Sequence, residues 1–347
     1  MSKDLSRRSI EASAPKRRKL RIAALMLGAI LIAVFIQFPH SNAGEGAFSD
    51  PDLPQNPKGG RLPTLHHPAP ATSPFALPTM GGLQLWQDRA YYAGWRVQSH
   101  IWTGHYRLLD PDDLQQSWGG SDDVRAVFDE IRENGGIRPR SSDLVILIHG
   151  WGRTSHMFDD LKEALHREGF DVLALSYPST RASIATHAEV LRELIGDLEG
   201  TKRVSFITHS LGGIVLRRLL VENPIFANGV ELERAVMIAP PNQGSVMAET
   251  LGEHQAFHWI GGPVAKELTP ESLEDLPPPN IPFMIIAGHS GTAEGWNPVI
   301  EGDDDGIVGL EETYLEGADA YLRIEAVHTF IAADPEAIKA AIAFLKN

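Results

Sequence analysis

The chain has 347 residues, 43% hydrophobic, 22% charged and 7% aromatic, enough for one large domain or two modest ones, and this composition excludes a disordered or fibrous protein. It contains no cysteine, which excludes disulfide frameworks, thiolate metal sites, iron–sulfur clusters, a cysteine nucleophile and lipoprotein anchoring through an N-terminal cysteine. The formal net charge is −14, yet residues 1–21 hold eight Lys and Arg against Asp4 and Glu11, so the other 326 residues carry −20, an acidic body that argues against a nucleic-acid partner.

Lys16, Arg17, Arg18, Lys19 and Arg21 precede an uncharged run over residues 22–38. As a helix this run would span about 26 Å against a hydrocarbon core of roughly 30 Å. Residues 1–43 therefore read as a basic cytoplasmic tail followed by a transmembrane signal anchor or a signal peptide, with Ser41 and Ala43 offering a cleavage site before Gly44. The positive-inside rule puts everything after residue 43 on the non-cytoplasmic side, periplasmic in a bacterium, either membrane-anchored or exported after cleavage near Ala43. Residues 44–82 are a proline-rich linker, in which His66 and His67 read as a solvated pair.

The remaining chain, 83–347, reads as one domain. Its first part, 83–142, holds six aromatics between Trp86 and Tyr106 and then Trp118; such crowding suits a membrane-facing patch or, as the favoured reading, a subdomain packed on the main body. An amphipathic helix is expected over 122–133, closed by Gly135 and Gly136. From residue 143, short β-branched runs alternate with helical periodicity, the pattern of a doubly wound, mostly parallel α/β sheet. Strands are predicted at 144–148, 172–176, 204–208, 235–238, 283–287 and about 321–324, and helices at 157–167, 183–198, 211–222 and 335–345.

Ser210 stands where the third of these strands gives way to a helix, within Thr208-His209-Ser210-Leu211-Gly212-Gly213. A serine on such a turn projects its hydroxyl from the carboxyl edge of the sheet, near backbone N–H groups able to stabilise an anion. Thr208 occupies the place of the first glycine in G-x-S-x-G, and a serine here could also serve only to cap the helix. Upstream, the strand over 145–148 runs into His149-Gly150-Trp151-Gly152, and the backbone amides of Trp151 and Leu211 are the candidate oxyanion donors, with His149 shaping the turn. Downstream come Glu301-Gly302-Asp303-Asp304-Asp305-Gly306 and, after the next strand, His328. The order Ser210, Asp305, His328 is that of nucleophile, acid and base in this architecture, with Asp303 as the reserve acid.

These residues, together with Ala239-Pro240-Pro241-Asn242-Gln243-Gly244-Ser245, Asp305-Gly306-Ile307-Val308 and His328-Thr329, make residues 143–347 resemble the alpha/beta-hydrolase superfamily, especially its bacterial lipase and GPI inositol-deacylase-like branches. Thr at the first position of the elbow is an accepted variant in that group. The resemblance covers about 60% of the chain and implies a Ser-Asp-His esterase working through an acyl-enzyme intermediate, without a cofactor.

Residues 243–280 form an insertion too long for a plain connection and read as a small cap over an acyl pocket. Its apolar residues suggest a small-molecule or lipid acyl ester as substrate; His254 and His258 have metal-pair spacing but read as a polar helix face. Glu301, Asp303, Asp305, Gly306, Val308 and Glu312 fall near the positions of a calcium loop, yet the preceding strand argues against an EF-hand, and no metal is assigned. An acyltransferase or a lipid-anchor deacylase would use the same three residues, and a binding module could keep the fold without catalysis. The oligomeric state is not legible.

Overall fold

The computed structural model describes residues 84–252 and 262–347. The expected membrane segment, the proline-rich linker and the His254/His258 pair lie outside the described residues. Among the described residues no helix is long and apolar enough to cross a membrane.

The described residues open with four short strands, β1 Trp86–Tyr92, β2 Trp95–His100, β3 Tyr106–Leu109 and β4 Gln115–Gly119, followed by α1 Ser121–Asn134. The strands form an antiparallel meander in chain order. One face buries Ala90, Tyr92, Val97 and Leu108 against Val124 and Phe128 of α1, giving this small layer its own core. Sequence reading found the aromatic crowding and α1 but not the strands, because Asp88, Arg96 and Gln98 are buried polar residues that blur the apolar alternation.

The main body begins with β5 Asp143–Ile148, a 3₁₀ turn over Ser155–Phe158, α2 Asp159–Arg167, β6 Asp171–Ala174, α3 Ile184–Gly196, β7 Arg203–His209, α4 Leu211–Leu220 and β8 Glu231–Ile238. Short helices α5 Val246–Gly252, α6 Val264–Glu267 and α7 Pro270–Leu273 follow, then β9 Phe283–His289, α8 Leu310–Thr313, β10 Ala320–Glu325 and α9 Pro335–Leu345. All six predicted strands are present within a few residues. The helix expected from residue 157 starts instead as the 3₁₀ turn, and its α-helical part begins at Asp159. Side chains cap three of the described helices: Ser183 accepts from the Thr186 amide, Thr269 from the Ser272 amide, and Asp334 from the amides of Glu336 and Ala337 behind Pro335.

The six strands lie parallel in the order β10-β9-β8-β7-β5-β6. Alternation along each strand splits the core into two layers. Leu144, Ile146, Ile148, Phe206, Met237 and Ile285 face α3 and α4, whereas Val145, Leu147, Ile207, Val236 and Ile286 face α2 and α9. The result is a three-layer α/β/α arrangement. The outer edge of β6 is closed by the meander: the Val172 amide turns to the Asp171 carboxylate, Tyr91 donates its hydroxyl to the Val172 carbonyl, and Asp88 and Ser176 exchange bonds of 2.9 and 2.6 Å.

From β5 the chain moves outward to β6 and then returns to the other side of β5 as β7. This reversal is a topological switch point at the carboxyl ends of β5 and β7, where α/β sheets characteristically place their sites.

Candidate active site

Of the two strands at that switch point, β7 ends in unusual backbone. Ser210, between β7 and α4, has φ 53° and ψ −123°, a conformation costing on the order of 1–3 kcal/mol for a residue with a Cβ. Its amide donates to the Ile238 carbonyl at 2.8 Å, and its hydroxyl makes no bond that caps α4, so helix capping does not explain the serine. Glycines allow the turn to close. A Cβ at Gly212 would lie 2.2 Å from the Ile148 carbonyl oxygen, and one at Gly150 would lie 2.9 Å from His209 Nδ1 and 3.1 Å from Ser210 Cβ. Thr208 fits in place of a first glycine because it is fully buried on β7 opposite Gly213, where a Cβ would stand 3.3 Å from its hydroxyl.

The turn after β5 thus lies against Ser210. Leu211 is the first residue of α4 and its amide has no intrahelical partner, while Trp151 sits one residue beyond Gly150. The turn is pinned from three directions: the Arg153 amide donates to the Gly150 carbonyl at 3.2 Å, the Gly152 amide to the Ser179 hydroxyl at 3.0 Å, and Gln84 to the Arg153 carbonyl at 2.6 Å. His149 is buried, stacked 4.3 Å from the Tyr177 ring, and burial lowers its pKa to about 4. It is a neutral shaping residue, in agreement with its sequence reading.

His328 and Asp305 meet directly. Asp305 Oδ2 accepts from His328 Nδ1 at 2.7 Å, and Asp305 Oδ1 accepts from the amides of Ile307 and Val308 at 3.0 and 2.8 Å. Both carboxylate oxygens therefore face donors in a fully buried setting. Gly288, at the end of β9, makes room: a Cβ there would lie 2.7 Å from Asp305 Cβ. The other two aspartates do different work. Asp303 accepts from the amide and hydroxyl of Ser290, and Asp304 from the amides of Asn297 and Gly306. Of the two candidate acids, Asp305 is the one bonded to His328. Among the described residues no group of three or more His, Asp and Glu is disposed to hold a metal ion.

His209 joins the two halves. Its Nε2–H donates to the His328 carbonyl at 2.9 Å, its ring lies 4.6 Å from that of His328, and its buried Nδ1 has no partner. Burial, followed by the nearby His328 and Arg153, pushes its pKa well below the usual histidine value. Two contacts escaped the sequence reading. Arg153 donates to the Thr329 hydroxyl at 2.6 Å, tying the turn after β5 to the residue after His328. Arg217 of α4 is buried and gives its guanidinium to the carbonyls of Asn242, Leu276 and Pro277, joining both flanks of the connection between β8 and β9 to the helix that follows Ser210. A buried arginine on an apolar helix was the available signal for the second; nothing in spacing marks the first.

Comparison with known proteins agrees with this architecture. Residues 145–338 match the family described as "Alpha/beta hydrolase family". No curated protein matches the chain. Similar solved structures include the mature form of a lipase of Bacillus licheniformis, at 17% identity over 58% of this chain and 89% of that one, with a TM-score of 0.43. A metagenomic carboxyl esterase matches at 18% identity over 59% and 75% of the two chains, TM-score 0.45, and an esterase of Exiguobacterium antarcticum at 17% over 60% and 93%, TM-score 0.39. At those identities and scores the likenesses carry no information about substrate. The family match spans more than half of the chain, including Ser210, Asp305 and His328, and the protein belongs to the alpha/beta hydrolase family.

Proposed function

We propose that the protein is a serine esterase that hydrolyses carboxylic acyl esters, lipid esters among them, through Ser210, His328 and Asp305. The observation that carries this reading is the Ser210 turn: a strained serine with no capping role, at the same sheet edge as a histidine held by a buried carboxylate. The bacterial-lipase likeness of the 239–245 segment and of His328-Thr329, and the apolar insertion, favour a lipid-like acyl group.

In this mechanism Ser210 Oγ attacks the ester carbonyl carbon while its proton passes to His328 Nε2. Asp305 fixes the tautomer through Nδ1–H and stabilises the imidazolium. The tetrahedral oxyanion is met by the amides of Trp151 and Leu211. Collapse expels the alcohol, which takes its proton from His328, and leaves an acyl-serine; water, deprotonated by His328, repeats the sequence and frees the acid. His149 and His209 are held neutral by burial and are unsuited to the base role. Residues 1–43 would tether or export the domain to the non-cytoplasmic side, with 44–82 as the linker and 243–280 as the cap.

The test is turnover of a soluble p-nitrophenyl butyrate ester by the full chain. Ser210→Ala is expected to reduce kcat by about 10³-fold or more. Equal turnover by wild type and Ser210→Ala would contradict the assignment.

A further inference from the structure

On the face of the β1–β4 sheet turned away from α1, aromatic and basic side chains run from the buried interior around Asp88 and Gln98, which meets the main body, out to an exposed margin. The Trp102 ring lies 6.5 Å from His100, and His100 stands edge-on to Trp86 at 5.0 Å. The Arg107 guanidinium lies 4.0 Å over Trp86, Arg107 is the cross-strand partner of Trp118, and Trp118 is 5.4 Å from His105. Trp102 is 68% exposed and Trp118 58%. α1 covers the opposite face and the main body covers the Asp88, Arg96 and Gln98 side chains of this one, so Trp102 and Trp118 at the margin belong to neither core. Large exposed rings clustered on one face are an unpartnered surface.

Position decides what this face meets. The described chain begins at Gln84, two residues before Trp86, and 45 residues separate it from the end of the uncharged run at Phe38. Gln84 is bonded to the Arg153 carbonyl and accepts from the hydroxyls of Ser179 and Thr180. Arg181, next in the chain, holds its guanidinium 5.8 Å from the Trp102 ring, and a Cβ on Gly262 of the insertion would lie 1.9 Å from the Thr180 carbonyl oxygen. The side from which the chain leads back to the apolar segment, the Trp102 ring, the insertion and the turn bearing Trp151 therefore share the carboxyl edge of the central sheet with Ser210.

We propose that this face, anchored by Trp102 and Trp118, seats in the headgroup layer of a lipid bilayer and turns the Ser210 edge of the sheet toward the membrane surface. Tryptophan favours that layer because its ring is largely apolar while its N–H stays hydrated. Arg181, beside the Trp102 ring, stands at the level of lipid phosphates, whereas Arg107 is turned inward to Gln98. The chain after residue 21 carries −20, so attraction to anionic lipid does not drive the contact. It runs through the rings, forms on uncharged-surface lipid such as phosphatidylcholine and responds little to salt. Only the orientation of the Ser210 edge rests on the esterase reading; the lipid contact does not.

The experiment reconstitutes the full chain in phosphatidylcholine vesicles with and without brominated acyl chains and follows tryptophan emission. The uncharged run over 22–38 contains no tryptophan and contributes no signal. Wild type, Trp102→Gln, Trp118→Gln and the double variant are compared, with acrylamide as the water-side quencher. The expected result is bromolipid quenching that falls by more than half in the double variant, partially in each single variant, and persists at high salt. Equal bromolipid quenching in wild type and the double variant overturns the proposal. So does protection of these rings from both quenchers, which would mean that another segment or a second copy covers the face. Fluorophosphonate labelling of Ser210 in detergent is expected to be unchanged in every variant and serves as the folding control; should the double variant lose it, the single variants carry the comparison. If wild type labels at no serine while the bromolipid difference remains, the esterase reading has failed and the bilayer contact stands.

Discussion

Asp305 binds His328 twice: its carboxylate accepts from Nδ1 at 2.7 Å, and its backbone carbonyl accepts from the His328 amide at 2.8 Å. The backbone bond sets where the histidine sits, and the side-chain bond sets how its ring is turned. Replacing the carboxylate by an amide should keep the first and spoil the second.

Asp305→Asn is accordingly expected to fold and to lose about 10³–10⁴-fold in kcat on a soluble ester, because an amide nitrogen facing Nδ1 favours the wrong tautomer. Asp303→Asn, whose parent side chain faces Ser290 instead, should lose less than about tenfold. Steady-state kinetics with circular dichroism as the fold control separates the two. Comparable losses in both would contradict the assignment of Asp305.

This division of the acidic loop shows what could be read in advance. The six strands were legible because each is a short run of apolar and β-branched residues in a two-faced sheet, and Ser210 because a strand, a serine and paired glycines occur in that order. The choice between Asp303 and Asp305 was not legible, since both flank the same turn and differ only in which neighbour the fold brings to them. Gly288, whose missing Cβ admits Asp305, looks like any glycine at the end of a strand. Arg153 and Thr329 lie 176 positions apart, and no local pattern couples them. The meander escaped because its strands carry buried charge, with Arg96 paired to Asp88 at 3.5 Å, where periodicity expects apolar residues.

Gly212→Ala should destabilise the domain by about 2 kcal/mol or more, since its Cβ meets a backbone carbonyl that has no freedom to withdraw. Chemical denaturation is the measurement. An unchanged midpoint would mean that α4 does not press on β5 as described.

Glu312 gives a pH signature. Its carboxylate accepts from the amides of Val246 and Gly309, joining the start of the insertion to the segment after the acidic loop. Burial, offset by those two bonds and reinforced by Asp305 and Asp304, raises its pKa from 4.5 to about 7. The folded state then holds a proton that the unfolded chain has already lost, so this group's effect on stability becomes less favourable as pH rises from about 4.5 to about 7 and is constant above. Relative to Glu312→Gln, wild type should lose on the order of 3 kcal/mol over that window. Parallel stability profiles for the two proteins would contradict it.

Arg217→Leu removes the donors that hold the carbonyls of Asn242, Leu276 and Pro277, and is expected to cost about 2–4 kcal/mol. The insertion should loosen first, seen as faster hydrogen exchange over 243–280 than over β7 and β8. Uniform change across the domain would contradict a local tie.

The most direct test of the central claim is labelling of the full chain by a fluorophosphonate probe, with the modified peptide identified by mass spectrometry. A single adduct on Ser210 is expected, abolished in Ser210→Ala and formed far more slowly in His328→Ala. A folded wild-type protein that takes no label, or takes it on another residue, would contradict an activated serine at the β7–α4 turn.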